Sequence, residues 1–334
     1  MALKAWARRA VAQAGLPRWL HRALPADRLT IVMYHAVVRE PLPVADWCFI
    51  EEAAFRDQLD YLARHFEVLF LSEAVERLRS GRLRRPTAAI TFDDGFQNNC
   101  DVAWPALRER GLPATVFLVT GLIGTQDTVW YCRFNSALAR ARGTSLDWDG
   151  TRYDLSGPAA RAVAGAALQA RLKALPHPRL LAALDAIVRE LGLDPQEPMG
   201  EESPYRMLSP EAIARMAASG LVEFGAHTHS HAILARLPSV ERDIEIDRSL
   251  AAVAQLTGRP CRLFAYPNGS AEDYDAAAVQ ALAERGVEAA VTTRGGPNGR
   301  ATPALELRRY GVGASVEPAD FRFAVHHWSR AARA

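Results

Sequence analysis

A chain of 334 residues with 49% hydrophobic and 23% charged side chains can bury a large core, which excludes a disordered tail, a collagen repeat or a disulfide-stapled miniprotein. Its 40 Lys and Arg nearly balance 38 Asp and Glu, so no polyanion-binding surface is implied and nucleic acid is not an expected partner. The four cysteines, Cys48, Cys100, Cys132 and Cys261, lie far apart with no CxxC pair, as expected of free thiols rather than a zinc knuckle.

Residues 1–24 are basic and periodically apolar (Leu3, Trp6, Val11, Leu16, Trp19, Leu20 and Leu24), but hold no continuous apolar run of signal-peptide type. The expectation is an amphipathic helix that packs on its own domain or lies on an anionic membrane surface. That places the chain in the cytoplasm, or peripherally on the inner membrane face. No transmembrane helix is expected, because the longest apolar stretch, near Ala114 to Ile123, is broken by threonine and glycine.

From Leu29 onward strand-like runs alternate with helix-like ones. Strands are expected at Leu29–Tyr34, Glu67–Leu71, Ala88–Phe92, Ala114–Val119, Leu221–Phe224, Arg262–Tyr266, Ala289–Thr292 and Glu306–Val312. Amphipathic helices are expected at Glu52–His65, Ser72–Ser80, Val102–Arg110, Ser209–Ser219, Val240–Leu256 and Asp273–Arg285. Ser72, Ser209 and Ser239 are candidate N-caps, and Gly81, Gly111, Gly220 and Gly286 candidate stops. Seven or eight such βα units are enough to close a barrel. The rhythm breaks over residues 125–205, where a tryptophan-bearing stretch (Trp130, Trp148) and a small-residue helical run read as a helical insertion on the barrel rim. The chain then divides into an N-terminal segment 1–28, a barrel 29–316 carrying the insertion, and a C-terminal helix and tail 317–334.

The unusual polar residues cluster after the predicted strands: His35, Asp93-Asp94, His227, and Pro267-Asn268-Gly269. In a parallel βα barrel these carboxyl ends converge on one face, where active sites are built. The run TFDDGF (91–96) places two carboxylates where the strand ends at Gly95, so that one can bind a divalent metal and the other accept a proton from water. The run HTHSH (227–231) offers His227 with His231 if the turn is helical, or His227 with His229 if it is extended. An Asp-His-His set leaves positions open for water and substrate. It favours Zn first, with Ni, Co or Fe as the other candidates, over an oxygen-rich Ca site. Metal-assisted hydrolysis is the implied chemistry.

TFDDGF at 91–96, HTHSH with Leu234 at 227–234, and FAYPNG at 264–269 together resemble the polysaccharide deacetylase family, also called carbohydrate esterase family 4. The resemblance covers roughly residues 29–125 and 205–312 and implies an α/β fold, a distorted (β/α)7 TIM-like barrel. It implies Asp93 as general base, and Asp94, His227 and His231 as metal ligands. Thr228 resembles the hydroxyl that braces the histidine loop, and His229 is left without a catalytic role. Pro267 and Asn268 resemble the wall of the substrate groove, where the Tyr266 N–H would hold the oxyanion, proline having none.

Two departures stand out. Many members carry, where this chain has Ala265, an arginine that orients the catalytic aspartate; Arg309, ahead of Arg308, is the replacement to expect. The usual late histidine acid is also absent after FAYPNG, His326 and His327 falling in a terminal helix. Members with a permuted strand order carry the acid near the N-terminus, and VMYHAV (32–37) resembles that arrangement, with His35 as the acid. The implied activity is metal-dependent removal of an N-acetyl group from an amino sugar in a polysaccharide, oligosaccharide or lipid-linked glycan. Another amidase or deformylase on the same barrel, or a degenerate carbohydrate-binding protein, is the alternative.

Overall fold

The computed structural model describes residues 27–327 apart from Pro43 and Ala45, and five positions before residue 27. The expected amphipathic segment 1–24 therefore lies almost wholly outside the described residues. No described helix is long and apolar enough to cross a membrane.

The chain opens with β1 (Leu29–Tyr34), all six of whose residues are buried, followed by the short strands β2 (Ala36–Val38) and β3 (Phe49–Glu51). Helix α1 (Glu52–His65) buries the stripe Phe55, Gln58, Leu59 and Leu62, as its 3.6-residue apolar repeat requires. A two-residue strand β4 (Glu67–Val68) leads into α2 (Leu71–Arg79), and β5 (Thr87–Phe92) is again wholly buried. A π-helical turn (Asn99–Ala103) precedes α3 (Trp104–Arg110), which leads into β6 (Ala114–Leu118).

After the inserted segment come α7 (Pro210–Ala218) and β9 (Val222–Ala226), then α8 (Ser239–Thr257) and β10 (Leu263–Ala265). The barrel ends with α9 (Ala276–Glu284), β11 (Ala289–Val291) and β12 (Tyr310–Gly311), followed by α10 (Pro318–Val325). Within the insertion lie α4 (Trp130–Arg140), the antiparallel hairpin β7 (Ser145–Trp148) and β8 (Thr151–Asp154), α5 (Pro158–Lys173) and α6 (His177–Glu190).

Seven parallel strands run in the order β11-β10-β9-β6-β5-β1-β12, with β4 pairing only the start of β5. The ring closes through a broken last strand. Leu307 bridges Val291 in β11, and Tyr310 and Gly311 pair Val32 and Met33 in β1. The expected strand Glu306–Val312 is thus split at Arg308 and Arg309, which makes the barrel distorted. The expected strand Glu67–Leu71 stops at Val68 because the chain turns under the barrel. There Ser72 N–H and Oγ donate to Glu223, so Ser72 is no N-cap, and α2 packs Leu71, Ala74, Val75 and Leu78 against the inward-facing side chains.

Strand side chains alternate between two cores. Val32, Tyr34, Ile90, Phe92, Val116, Leu118, Phe224 and Phe264 face the helices, whereas Ile31, Ala89, Phe117, Ala265 and Val291 fill the barrel. Ser209 caps α7 through its hydroxyl, as expected, which contributes about 1 kcal/mol. Ser239 is the first residue of α8 instead of its cap.

The insertion was expected to be helical, yet it also contains the β7–β8 hairpin, turned by Asp149 (φ 49°) and Gly150 (φ 70°). Its apolar side chains, among them Phe134, Leu146, Leu168 and Ile187, form one core with Ala36, Phe49, Phe96 and Val119 of the barrel rim. Trp130 is buried in that core, and Trp148 is stacked under Arg171 at 4.6 Å.

Candidate active site

At the carboxyl end of β5 the backbone turns through Asp94 (φ 69°) and Gly95 (φ 82°), so the adjacent carboxylates separate. Asp93 keeps the inward parity of Ala89 and Thr91 and enters the barrel. Its two oxygens accept from the two terminal nitrogens of Arg309, each at 2.7 Å. Arg309 is fully buried, and its Nε donates to Thr292 O at 2.9 Å while Nη1 also reaches Thr91 Oγ1 at 3.2 Å. The guanidinium thus occupies barrel space that an arginine at position 265 would otherwise contest, and Ala265 leaves room for it. Arg308 is exposed, and its backbone pairs with Asn298. Burial alone would raise the Asp93 carboxyl, but the Arg309 charge, with His227 assisting, holds it well below the usual carboxylate range.

Asp94 is oriented differently. Its Oδ2 accepts from Tyr131 Oη at 2.5 Å, while Oδ1 is buried with no hydrogen-bond partner. That oxygen lies 3.6 Å from His227 Nε2 and 3.4 Å from His231 Nε2. His227 Nδ1 is 2.8 Å from Ala265 O, so it carries the proton and leaves Nε2 with a lone pair. Burial lowers both imidazoles, His231 strongly, so both are neutral.

One ligand atom from each of Asp94, His227 and His231 falls within 4.8 Å of the others. A buried carboxylate oxygen without a donor, facing the Nε2 lone pair of His227 and the Nε2 of a second neutral imidazole, is a set of atoms that suits a cation. Without one, burial pushes the Asp94 carboxyl up to about 8, against the Tyr131 hydrogen bond. The residues present therefore fit a divalent metal held by one oxygen and two nitrogens.

Of the two pairings left open by the HTHSH spacing, the structure groups His227 with His231. Thr228 (φ 61°) and His231 (φ 62°) both adopt the left-handed region, which folds the loop so that His227 and His231 point the same way. His229 turns outward, its Nδ1 3.1 Å from Thr120 Oγ1. The expected bracing hydroxyl is not Thr228, whose Oγ1 is fully buried without a hydrogen-bond partner. Glu245 of α8 does the bracing instead, accepting from His229 N, Ser230 N and Ser230 Oγ, each at 2.8 Å. Glu245→Ala leaves two loop N–H groups without acceptors and is expected to destabilise the fold by about 1–3 kcal/mol in urea unfolding.

The expected role of Tyr266 is also corrected. Its N–H donates to Val291 O at 3.1 Å within the sheet, so it is not available to an oxyanion, and its ring stacks on Tyr274 at a centroid distance of 4.2 Å. Pro267 is buried and Asn268 (φ 59°) half-buried. Their turn is held by Thr293, whose Oγ1 donates to Asn268 O at 2.6 Å.

His35 follows β1 directly. Asn99 Nδ2 holds its carbonyl at 2.7 Å, and its ring stands edge-on to Trp47 at 5.6 Å. Its Nδ1 is buried without a partner. Burial pushes the imidazole down to about 4, opposed by Asp93 and reinforced by Arg309. His326 and His327 lie elsewhere, 2.8 Å from Tyr61 Oη and 2.9 Å from Tyr310 Oη respectively.

Three side chains at the site escaped the reading of the sequence: Asn99, Glu245 and Tyr131. Tyr131 arrives on α4, so the insertion reaches the cluster of Asp94, His227 and His231. One turn further along the same helix Asn135 donates to buried Asp46 at 2.5 Å and accepts from Gln169 of α5 at 2.7 Å, which ties the insertion to the rim beside His35.

Several known proteins resemble this chain in sequence or in fold. A poly-β-1,6-N-acetyl-D-glucosamine N-deacetylase of Staphylococcus epidermidis is 32% identical over 77 residues, 23% of this chain and 27% of that protein. The Streptococcus pyogenes deacetylase PplD, solved with acetate, superposes with a TM-score of 0.60 at 17% identity, over 89% of this chain and 98% of that one. IcaB from Ammonifex degensii gives 0.57 at 21% identity, over 91% of this chain and 98% of that one. These structural likenesses concern the fold. The family model described as polysaccharide deacetylase matches residues 80–290, a span that takes in the paired aspartates, the histidine loop and the Pro267 turn, and this chain belongs to that family.

Proposed function

We propose that the chain is a metal-dependent N-deacetylase that hydrolyses the N-acetyl group of an amino sugar in a polysaccharide, oligosaccharide or lipid-linked glycan and releases acetate. The observation that carries this reading is the division between neighbouring carboxylates: Asp93 is locked in a two-point ion pair, and Asp94 offers one unpartnered oxygen to two imidazoles. The relative named as a poly-β-1,6-N-acetyl-D-glucosamine N-deacetylase supports an exopolysaccharide precursor as the substrate. Action in the cytoplasm or on the inner membrane face, with residues 1–24 as the contact, belongs to the same proposal.

Asp94, His227 and His231 would hold the metal, Zn first and Ni, Co or Fe(II) as alternatives. Bound there, a divalent cation polarises the amide carbonyl and makes water more acidic. Asp93, kept ionised by Arg309, takes a proton from the attacking water; each of its oxygens retains a lone pair beyond the one that Arg309 occupies. The water oxygen bonds to the carbonyl carbon, and the C–N bond then breaks with its electron pair on nitrogen.

His35 enters this sequence neutral. It receives the proton from Asp93 and delivers one to the departing amine, a poor leaving group without such help. His35→Ala is therefore expected to lower turnover of an N-acetyl sugar by about 10²-fold or more, but to slow hydrolysis of an aryl acetate, whose phenolate leaves unaided, much less. Equal losses on both substrates would remove His35 from this role.

The degenerate binding protein loses its support, because it rested on Ala265 lacking an arginine and Arg309 supplies the guanidinium. The test of the main reading is acetate release from N-acetylglucosamine oligomers by wild type and Asp93→Asn, with elemental analysis of both. Stoichiometric metal in both proteins and acetate from wild type alone is the expected result. Formate release from an N-formyl amino sugar with no acetate from the oligomers would replace the reading with a deformylase; absence of metal after Zn or Co is supplied would overturn it.

A further inference from the structure

We propose that Tyr131 is a positioning residue for the metal ligand Asp94, supplied by the insertion, and that it makes this carboxylate bind through a single oxygen. The proposal rests on the metal reading above and adds to it what the residues around the ligands do.

The two oxygens of Asp94 have different surroundings. Oδ2 accepts the Tyr131 hydroxyl at 2.5 Å, whereas Oδ1 has no hydrogen-bond partner and faces both imidazole Nε2 atoms. A carboxylate can chelate with both oxygens only if both are free to turn toward the cation. A short hydrogen bond to one fixes the rotation of the group about Cβ–Cγ and keeps that oxygen engaged elsewhere. One oxygen and two nitrogens then fill three positions, and the remaining ones stay open for water and the amide oxygen.

Tyr131 can do this because its own position is fixed. It lies near the start of α4, between buried Trp130 and Cys132, with its ring tilted against His231 at 6.0 Å. Just ahead of the helix, Thr128 Oγ1 donates to Tyr205 O at 2.7 Å, and one turn further on Asn135 is bonded to Asp46. Both ends of this turn are thus anchored, and a rigid support is what a hydrogen bond to a ligand needs to hold its geometry. The loops that follow β5 and β9 supply all three ligands, but the group that orients one of them comes from the inserted segment.

The experiment uses the full chain stripped of metal, titrated with Zn2+ against a competing chelator and, separately, with Co2+ followed by its visible spectrum. Tyr131→Phe removes the hydroxyl alone, and its thermal unfolding without metal serves as the folding check. The expected result is a Zn2+ affinity lower by about 10- to 100-fold. With Co2+, weaker visible bands are expected, as the freed carboxylate adds its second oxygen and raises the coordination number. Asp94→Ala should bind neither ion at the site. If Tyr131→Phe unfolds at the wild-type temperature and matches wild type in Zn2+ affinity and in the Co2+ spectrum, while Asp94→Ala loses the metal, the positioning role is overturned and the metal site stands. If Asp94→Ala binds like wild type, the metal-site reading falls, and the proposal with it.

Discussion

Arg309→Met is expected to reduce turnover by about 10²-fold or more and to destabilise the protein by about 3–5 kcal/mol, while leaving metal content unchanged. Asp94, His227 and His231 make no hydrogen bond or ion pair with Arg309, whereas Asp93 loses both of its ion-pair contacts in an interior where neither side chain is exposed by more than 3%. The expectation has a definite sign with pH. In wild type the Asp93 carboxyl is held below its unfolded value of about 3.9, so the stability it contributes is present above that pH and is lost as pH falls through the lower folded value. Without Arg309 burial dominates and the folded value rises above the unfolded one. The contribution is then present at low pH and lost as pH rises. The stability gap between wild type and variant should therefore widen from pH 5 to pH 8 in urea unfolding, and Asp93→Asn in the same chain should narrow it. A gap that stays flat with pH would mean that the pair is not what Arg309 stabilises.

His231→Ala is expected to lower metal affinity by well over 100-fold and to take turnover below detection, whereas His229→Ala keeps both near wild type. His231 Nε2 stands 3.4 Å from the unpartnered oxygen of Asp94, while His229 leans on Thr120 and contributes its backbone, not its ring, to the loop. Dialysed protein analysed for metal, followed by a kinetic assay with added Zn2+, separates the two. Should His229→Ala lose metal and His231→Ala retain it, the ligand set would have to be redrawn.

Much of this site is visible in the sequence because its parts sit where strands end. β1 and α1 occupy the residues expected of them, since an unbroken apolar run and a clean 3.6-residue stripe leave little choice. The paired aspartates, the histidine loop and the Pro267 turn follow from the same logic. What stayed hidden depends on turns and on long-range contacts. Asp149-Gly150 between alternating apolar residues is a hairpin signal, and it was masked by the helical runs on either side. Tyr131 and Glu245 carry no local signature, because each matters only through the loop it meets. Tyr266 shows the reverse: its segment lines the site, but the sheet takes the N–H first. Position 309 could be named from the sequence as the arginine lacking at Ala265, but only the break in the last strand explains how its side chain gets inside the barrel.

That break also sets a timetable. Asp93 is synthesised 216 residues before Arg309, so β1, β5, β6 and the histidine loop all leave the ribosome before its counter-charge does. Until Leu307 to Gly311 close the ring, that carboxyl has no guanidinium to hold it in place. Fixing of the Asp93 carboxylate and closure of the barrel are therefore coupled, and a chain stalled short of its last strand would carry Asp94, His227 and His231 and still lack the guanidinium that holds their neighbour.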